Sequence, residues 1–310
     1  VYGSVVEHPV NVTQPVTLRA GDKLIVDMGQ NMVGVSRMVV SGDKDTKVKQ
    51  RFAEMLNDGK DPDGEGTCGS DGPKGTIYTA SLINGGLGNA LCEDTYILSG
   101  EGQESYRASL TYHGFRYIEI STTKDVIIHG IDGKVITGVG DQTGFIETSD
   151  ANVNKLFKNA LWGQIGNYLS VPTDCPQRAE RYGWTGDAQL FAQTGAMNFE
   201  VNAFLENYIQ IMNSYLNLYA DSQGAFYGPV IPNGYFFPAL GCGWSDAGVL
   251  IPWVLYQQNG DLSMIRQYYP EMDRYMNYVY ENGYSTFLFG DWLAFTAAST
   301  QCINMEYQYY

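Results

Sequence analysis

Residues Pro172–Gln189 read P-T-D-C-P-Q-R-A-E-R-Y-G-W-T-G-D-A-Q, and the rest of the chain is organised around them. Pro172 and Pro176 keep the first half extended, because proline fixes φ and disfavours helix just upstream. The stretch also concentrates charged and aromatic side chains, at Asp174, Arg178, Glu180, Arg181, Trp184 and Asp187. We therefore predict that a loop carrying chemically versatile side chains leads into a helix here.

This combination of side chains suits sugar chemistry. A carboxylate can supply a proton or accept a hydrogen bond from a hydroxyl group, and an arginine can hold a carboxylate or hydroxyl in place. An indole face packs against the C–H surface of a sugar. The structural alternative is a salt-bridged loop that caps a helix, since structural ion pairs also cluster charged residues.

Upstream of this stretch the pattern is strand-like. Short runs rich in β-forming residues are separated by Gly, Asp and Asn clusters, which predicts an all-β sandwich. The predicted strands include Lys23–Met28, Val33–Val40, Lys47–Ala53, Tyr117–Ile120 and Val126–Ile131. Asp61, Asp63 and Glu65 resemble a calcium loop, but Gly72 stands where the bidentate Glu would be, so we predict a solvated acidic loop.

Helical periodicity dominates downstream, after an N-cap at Ser149 or Asp150. The predicted helices cover about 151–168, 187–197, 199–219, 247–258, 261–281 and 299–310. Their connectors carry the unusual motifs, which is typical of a helical toroid whose loops gather at one end. We therefore predict a β-sandwich domain over 1–135, a linker over 136–150 and a helical domain over 151–310.

Several motifs are similar to those of one family. The run Thr173–Gln189 resembles the signature of the bacterial α-L-rhamnosidases, glycoside hydrolase family 78. Further runs agree in order: Val26–Gly34, Phe52–Leu56 and Y-H-G-F-R-Y at Tyr112–Tyr117 upstream, and Gly243–Ala247, Ile251–Trp253 and G-D-W at Gly290–Trp292 downstream. The resemblance thus spans nearly the whole chain.

The resemblance implies a β-sandwich followed by an (α/α)6 barrel of twelve helices, of which six are predicted here. A half toroid would expose wide apolar helix faces, which soluble monomers avoid. We therefore expect a sequence truncated relative to the intact enzyme, or one whose barrel is completed by a partner chain.

The resemblance also implies an activity, namely removal of terminal α-L-rhamnose from rhamnosides with inversion. Glu180 matches the general acid, at the glutamate of a D-E-R motif that reads A-E-R here, with Ala179 in place of aspartate. The general base of the family lies well downstream of G-D-W, and neither Glu281 nor Glu306 matches it, so we expect the base to be missing. The implied rhamnose-binding positions are Asp174, Arg178, Trp184, Asp187, Trp244 and Trp292.

Two other readings stay open. In the first, the chain is a catalytically incomplete carbohydrate-binding or structural fragment of such an enzyme. In the second, it is another (α/α)6 hydrolase that acts on a different sugar. Sequence beyond Tyr310, or an assay with a chromogenic α-L-rhamnoside, separates the fragment from the enzyme.

The composition of the chain limits the classes of partner and cofactor that it can bind. The net charge of −15 argues against nucleic acid and anionic membranes and is compatible with a rhamnose-containing glycoside or oligosaccharide. Three histidines without close pairing argue against a zinc site, so we expect no metal and no cofactor. Five cysteines without CxxC spacing are expected to be mostly thiols, which favours, without fixing, a reducing compartment such as the cytoplasm.

Overall fold

A computed structural model of the chain describes residues 15–59, 71–83, 91–232 and 243–282. These residues form two compact units. The first contains the described residues up to Thr137 together with Lys158–Asn167 and Cys175–Arg181. The second contains Gly138–Phe157, Tyr168–Asp174 and the described residues from Tyr182 onward. The predicted domain limits at 135 and 151 stay a prediction.

The first unit is built on antiparallel strands. Their bounds are β1 Val16–Leu18, β2 Lys23–Gly42, β3 Lys47–Ala53, β4 Met55–Leu56, β5 Ile77–Tyr78, β6 Glu93–Ile97, β7 Gln103–Arg107, β8 His113–Thr122 and β9 Val126–Val135. The main sheet has the order β1-β9-β2-β8-β3-β6, with β7 also paired to β2, and β4 and β5 form a separate pair.

Strand β2 differs from its prediction. The sequence indicated two strands, at Lys23–Met28 and Val33–Val40, whereas the structure has one strand of 20 residues. Its register with β8 shifts between Asp27 and Met32, where Gly29 has a φ of 75° and donates its N–H to Asp27 Oδ1 at 2.7 Å. The polar interruption is therefore an irregularity inside one strand rather than a break between two.

The core of the first unit consists of the inward faces of these strands. It contains fully buried side chains such as Met38, Val40, Phe52, Phe115 and Ile118. Trp162 and Ile165, from the second half of the first helix, pack against this core. The alternation of apolar and polar residues along the strands produces this one-sided burial.

The second unit is helical. Its elements are α1 Ala151–Asn167, whose second half lies in the first unit, α2 Thr185–Asn198, α3 Asn202–Gln223, α4 Ala247–Asn259 and α5 Ser263–Asn282. Helix α1 begins as predicted, because Asp150 Oδ1 accepts a hydrogen bond from the N–H of Asn152 at 2.7 Å. Helix α4 ends at Asn259, and Gly260, with a φ of 74°, is its left-handed C-cap.

Helices α2 and α3 begin and end elsewhere than predicted. Helix α2 begins at Thr185 rather than 187, because the buried Thr185 hydroxyl donates to Pro229 O at 3.0 Å and fixes the first turn. Helix α3 covers 202–223 rather than 199–219, because Phe199 closes α2 through its N–H to Gly195 O. The chain then leaves α3 at Gly224, which has a φ of 107°.

The fold class is confirmed: strands come first and helices follow. Among the described residues between 190 and 280 no strand longer than a single bridge occurs. The predicted helix over 299–310 and the acidic run Asp61–Glu65 lie outside the described residues. No helix in the part of the chain that the structure describes is long and apolar enough to cross a membrane.

Candidate active site

The loop predicted to carry the chemistry is closed at its base by two hydrogen bonds between Asp174 and Tyr182. The N–H of Asp174 donates to Tyr182 O at 3.0 Å, and the N–H of Tyr182 donates to Asp174 Oδ1 at 2.9 Å. Between them, Arg181 has a φ of 62°, in the left-handed region that non-glycine residues rarely occupy. Asp174 and Tyr182 belong to the second unit, whereas Cys175–Arg181 belongs to the first.

Glu180 lies near the end of that loop and is largely buried, with 12% of its side chain exposed. Its Oε2 atom accepts a hydrogen bond from Arg178 Nη2 at 3.3 Å and one from the Cys175 thiol at 3.4 Å. Arg178 Nε also donates to Cys175 Sγ at 3.3 Å. The hydrogen bond from Arg178 to Glu180 is thus long and joins Nη2 to the single oxygen Oε2.

Cys175 was missed by the sequence analysis. The motif contained it, but a thiol in a charged loop gives no signal that it contacts both Arg178 and Glu180. The sulfur and the carboxylate oxygen are donor types that bind divalent metals, yet both lie beside the Arg178 guanidinium, which repels a cation. We therefore assign no metal to this pair.

Trp184 and Asp187 mark the start of α2. Trp184 is the N-cap residue and forms a single β-bridge with Val230, and its indole is half-buried. Asp187 is exposed in the first turn, where the helix dipole favours a carboxylate. This position favours a role of Asp187 at the helix terminus, and the substrate-binding role stays a prediction.

Trp244 is brought against the start of the same helix. A Cβ atom built on Gly186 would lie only 2.8 Å from the Trp244 indole, so the ring rests on the bare glycine backbone. Gln189 Nε2 donates a short hydrogen bond to Gly243 O. The G-W-S-D-A motif therefore packs directly on the helix that follows the loop.

Asp246, in the same motif, has structural partners on both carboxylate oxygens. Oδ2 accepts from the N–H of Gly243 at 2.8 Å, and Oδ1 accepts from the Tyr275 hydroxyl at 2.8 Å. These contacts fix the turn before α4 and tie it to α5. The carboxylate of Asp246 therefore has a structural role at the start of α4.

The predicted site residues fall into two groups. Glu180 and Arg178 lie in the first unit, and Asp174, Trp184, Asp187 and Trp244 lie in the second. Trp292 lies outside the described residues. The role assigned to each residue stays a prediction.

Comparison with known families matches both units. Residues 18–137 match the bacterial α-L-rhamnosidase concanavalin-like domain, and residues 141–308 match the bacterial α-L-rhamnosidase six-hairpin glycosidase domain. A β-rich domain followed by a helical-hairpin glycosidase domain defines a class of carbohydrate-active proteins. Within that class, the chain belongs to the bacterial α-L-rhamnosidase family.

Two curated relatives are named α-L-rhamnosidase. The relative from Streptomyces avermitilis is 38% identical over 285 residues, which cover 87% of this chain and 24% of the relative. The relative from Formosa agariphila is 33% identical over 258 residues, which cover 82% of this chain and 25% of the relative. The chain thus spans about a quarter of the length of these relatives.

Solved structures give the same picture. The S. avermitilis α-L-rhamnosidase complexed with L-rhamnose matches with a TM-score of 0.68 and 36% identity, covering 88% of this chain and 25% of that one. The native enzyme of Aspergillus terreus matches with a TM-score of 0.73 and 30% identity, covering 90% of this chain and 31% of that one.

Proposed function

We propose that the natural full-length protein is an inverting glycoside hydrolase that removes terminal α-L-rhamnose from rhamnosides, with Glu180 as the general acid. The observation that carries this proposal is the placement of Glu180. It occupies the A-E-R position of the family motif, its side chain is 12% exposed, and its Oε2 atom accepts a hydrogen bond from Arg178 Nη2 at 3.3 Å. A carboxyl group so placed is largely shielded from water, and its hydrogen bond from Arg178 is long and therefore weak.

An inverting mechanism needs two carboxyl groups on opposite faces of the sugar ring. The acid gives its proton to the glycosidic oxygen as the C–O bond breaks. Water attacks the anomeric carbon from the other face and loses a proton to the base. We assign the acid to Glu180 and assign the base to no residue of this sequence.

The remaining motif residues would hold the sugar. Carboxylates accept hydrogen bonds from hydroxyl groups, a guanidinium donates to them, and indole faces pack against the C–H surface of the ring. The positions to which we assign this role are Asp174, Arg178, Trp184, Asp187, Trp244 and Trp292.

One observation favours the second candidate, a carbohydrate-binding relative without turnover. Ala179 replaces the aspartate that the family motif has beside its acid, so one of two adjacent carboxylates is absent. A neighbouring carboxylate affects how readily a carboxyl group is protonated, and Glu180 lacks that neighbour here. Turnover of a chromogenic α-L-rhamnoside by the natural full-length protein excludes this candidate.

Glu180→Gln tests the assignment of the acid. The substitution keeps the size of the side chain but removes the proton that can be transferred. General acid catalysis typically contributes about 10²–10⁴-fold, so kcat on a rhamnoside with a poor leaving group should fall by roughly that factor. A nitrophenolate leaves with little need for protonation, so the fall in kcat on a nitrophenyl rhamnoside should be clearly smaller. Both rates are measured on the natural full-length protein.

Glu281→Gln provides the matched control, because Glu281 is exposed near the end of α5 and has no assigned role. We expect it to leave both rates unchanged. Equal losses on the two leaving groups for Glu180→Gln would show that Glu180 is not the acid. A loss in Glu281→Gln as large as that in Glu180→Gln would show that the effect is not specific.

A further inference from the structure

The segment Cys175–Arg181, which carries Glu180, groups with the β-rich first unit and contacts Cys92, Tyr112 and Gly114 of that unit. We infer that Cys92, Tyr112 and Gly114, three residues of the β-rich unit, are positioning residues for the proposed general acid. The inference rests on the proposed role of Glu180 and adds to it a task for the β-rich unit and for the Y-H-G-F-R-Y motif.

Gly114 allows the closest approach. It is the second residue of β8 and pairs with Val33 of β2. A Cβ atom built on Gly114 would lie 2.7 Å from Gln177 Cβ and 2.9 Å from Gln177 Cα. Any side chain at this position would push the backbone of the loop away from the sheet.

Cys92 fixes the same part of the loop. Its thiol donates to Gln177 O at 3.1 Å, and it lies immediately before β6. Burial raises the pKa of the Cys92 thiol. The group is therefore protonated at neutral pH and can act as the donor that this contact requires.

Tyr112 fixes the other end of the loop. The guanidinium carbon of Arg181 lies 4.2 Å from the centroid of the Tyr112 ring, within range of a cation–π interaction. Arg181 follows Glu180 directly and has the unusual φ of 62°. Such a backbone conformation persists when surrounding contacts hold it, and the Tyr112 ring supplies one.

Glu180 thus lies between two anchored points, Gln177 before it and Arg181 after it. An acid must be within hydrogen-bond reach of the oxygen that it protonates, and a displacement of about 1 Å can cost about 10²-fold in rate. The contacts of Cys92, Tyr112 and Gly114 therefore set the position of the carboxyl group without touching the substrate.

The test compares two glycine substitutions in the strands on either side of β2, made in the natural full-length protein. Gly114→Ala displaces the loop. The atoms nearest to a Cβ on Gly133 of β9 are instead the flexible ends of Met32 and Met28, at 2.9 and 3.0 Å. Both variants disturb the packing of the sheet. We expect Gly114→Ala to lower kcat on a poor leaving group about tenfold or more, with a smaller loss on a nitrophenyl rhamnoside and little change in KM. Gly133→Ala should keep kcat on both substrates even where its Tm falls equally.

A second pair probes the other anchor and serves if Gly114→Ala fails to fold. Tyr112→Phe keeps the aromatic face under Arg181, and Tyr112→Leu removes it. We expect Tyr112→Leu to lower kcat with the same dependence on the leaving group and to exchange its amide hydrogens faster over Cys175–Arg181. Tyr112→Phe should keep both the rates and the exchange of the unsubstituted protein. The exchange measurement does not depend on activity.

The outcomes separate the two proposals. Suppose first that Glu180→Gln shows the dependence on the leaving group. If Gly114→Ala and Gly133→Ala then have the same kcat on both substrates, the positioning role is wrong and the assignment of Glu180 as the acid stands. Where Gly114→Ala does not fold, equal kcat values for Tyr112→Leu and Tyr112→Phe lead to the same conclusion. If Glu180→Gln shows no such dependence, the assignment of the acid is wrong. The positioning role would also be overturned if amide hydrogens over Cys175–Arg181 exchange equally fast in Tyr112→Leu and Tyr112→Phe.

Discussion

Asp174 has a structural task as well as its proposed contact with the sugar. One carboxylate oxygen accepts the N–H of Tyr182, and the backbone N–H of Asp174 donates to Tyr182 O in return. This reciprocal pair closes the base of the loop. Removing the side chain therefore alters the loop and the sugar contact together, and a test of Asp174 must separate them.

Asp174→Asn separates the two tasks, because an amide oxygen can still accept from Tyr182 N–H. A hydrogen bond to a charged group contributes about 1.5–3 kcal/mol. We expect Asp174→Asn to lower kcat/KM by roughly 10–100-fold on poor and activated leaving groups alike, while the midpoint of thermal unfolding changes little. Steady-state kinetics on two rhamnosides and a thermal melt measure this.

Asp174→Ala is the comparison, since it removes the acceptor as well as the charge. It should lower the thermal midpoint further than Asp174→Asn, because the half-buried N–H of Tyr182 loses its side-chain acceptor. A loss in Asp174→Asn that is much larger on the poor leaving group would contradict the sugar-binding role. Asp174 would then act on the departing oxygen.

At the scale of single residues, the sequence identifies which side chains matter better than it identifies their contacts. Glu180 and Arg178 are recognised from the motif, and the structure places them 3.3 Å apart. The contacts of Cys175 and Tyr112 were not predicted. The Tyr112 contact joins Arg181, with its left-handed φ, to a residue remote in sequence, and local residue preferences do not encode such a contact.

At the scale of elements, the start of α2 is defined by what packs against it. The Thr185 hydroxyl reaches the backbone of the segment after α3, and the Trp244 indole covers Gly186. Gly183, just before the helix, lies so close to Ile231 O that a Cβ atom would be 2.1 Å from it. Two connectors that carry motifs therefore meet at this helix terminus.

Gly186→Ala probes that contact. The added methyl group would meet the rigid indole of Trp244 at 2.8 Å, so the ring or the helix must move. Overpacking of this kind costs about 1–3 kcal/mol, and we expect the free energy of unfolding to fall by about that amount. The near-ultraviolet circular dichroism of the tryptophans should change as well. Chemical denaturation monitored by far-ultraviolet circular dichroism gives the free energy.

The matched control is Gly163→Ala in α1, since Gly163 is exposed and a Cβ atom there meets nothing within 4 Å. Replacing glycine by alanine inside a helix stabilises it by roughly 0.5–1 kcal/mol. The two helical glycines should therefore respond with opposite signs. Stabilisation in both variants would mean that Trp244 adapts freely and that the contact does not fix the start of α2.

The limits of elements were predictable where local signals set them. Helix α1 begins after the predicted Asp150 cap, and α4 ends at Asn259, one residue beyond its predicted end. The start of α2 was not, because its first turn is held by Pro229, which lies on a distant connector. The two predicted strands that became β2 were misread because a glycine turn within a strand looks like a break.

At the scale of the whole molecule, the order of a β-rich part and a helical part follows from periodicity alone. The identity of the family needs more, since many helical toroids share that periodicity. It comes from several motifs in the correct order and from matches over residues 18–137 and 141–308. The number of helices in the complete barrel is implied by the family and not by the described residues.

A polypeptide of residues 1–310 alone tests the proposed division of the chemistry. We assign Glu180 as the acid and no residue of this sequence as the base, so water would lack its activating carboxylate. The chain also spans only 24% of the S. avermitilis relative. We expect this polypeptide to hydrolyse α-L-rhamnosides far more slowly than the roughly 1–10³ s⁻¹ typical of enzymes, including those with activated leaving groups. Material shown by mass to end at Tyr310 is assayed beside the natural full-length protein. Turnover at enzymatic rates by 1–310 would mean that one of its own carboxylates serves as the base, and scanning the carboxylates of α5 and of the residues after it would then identify which.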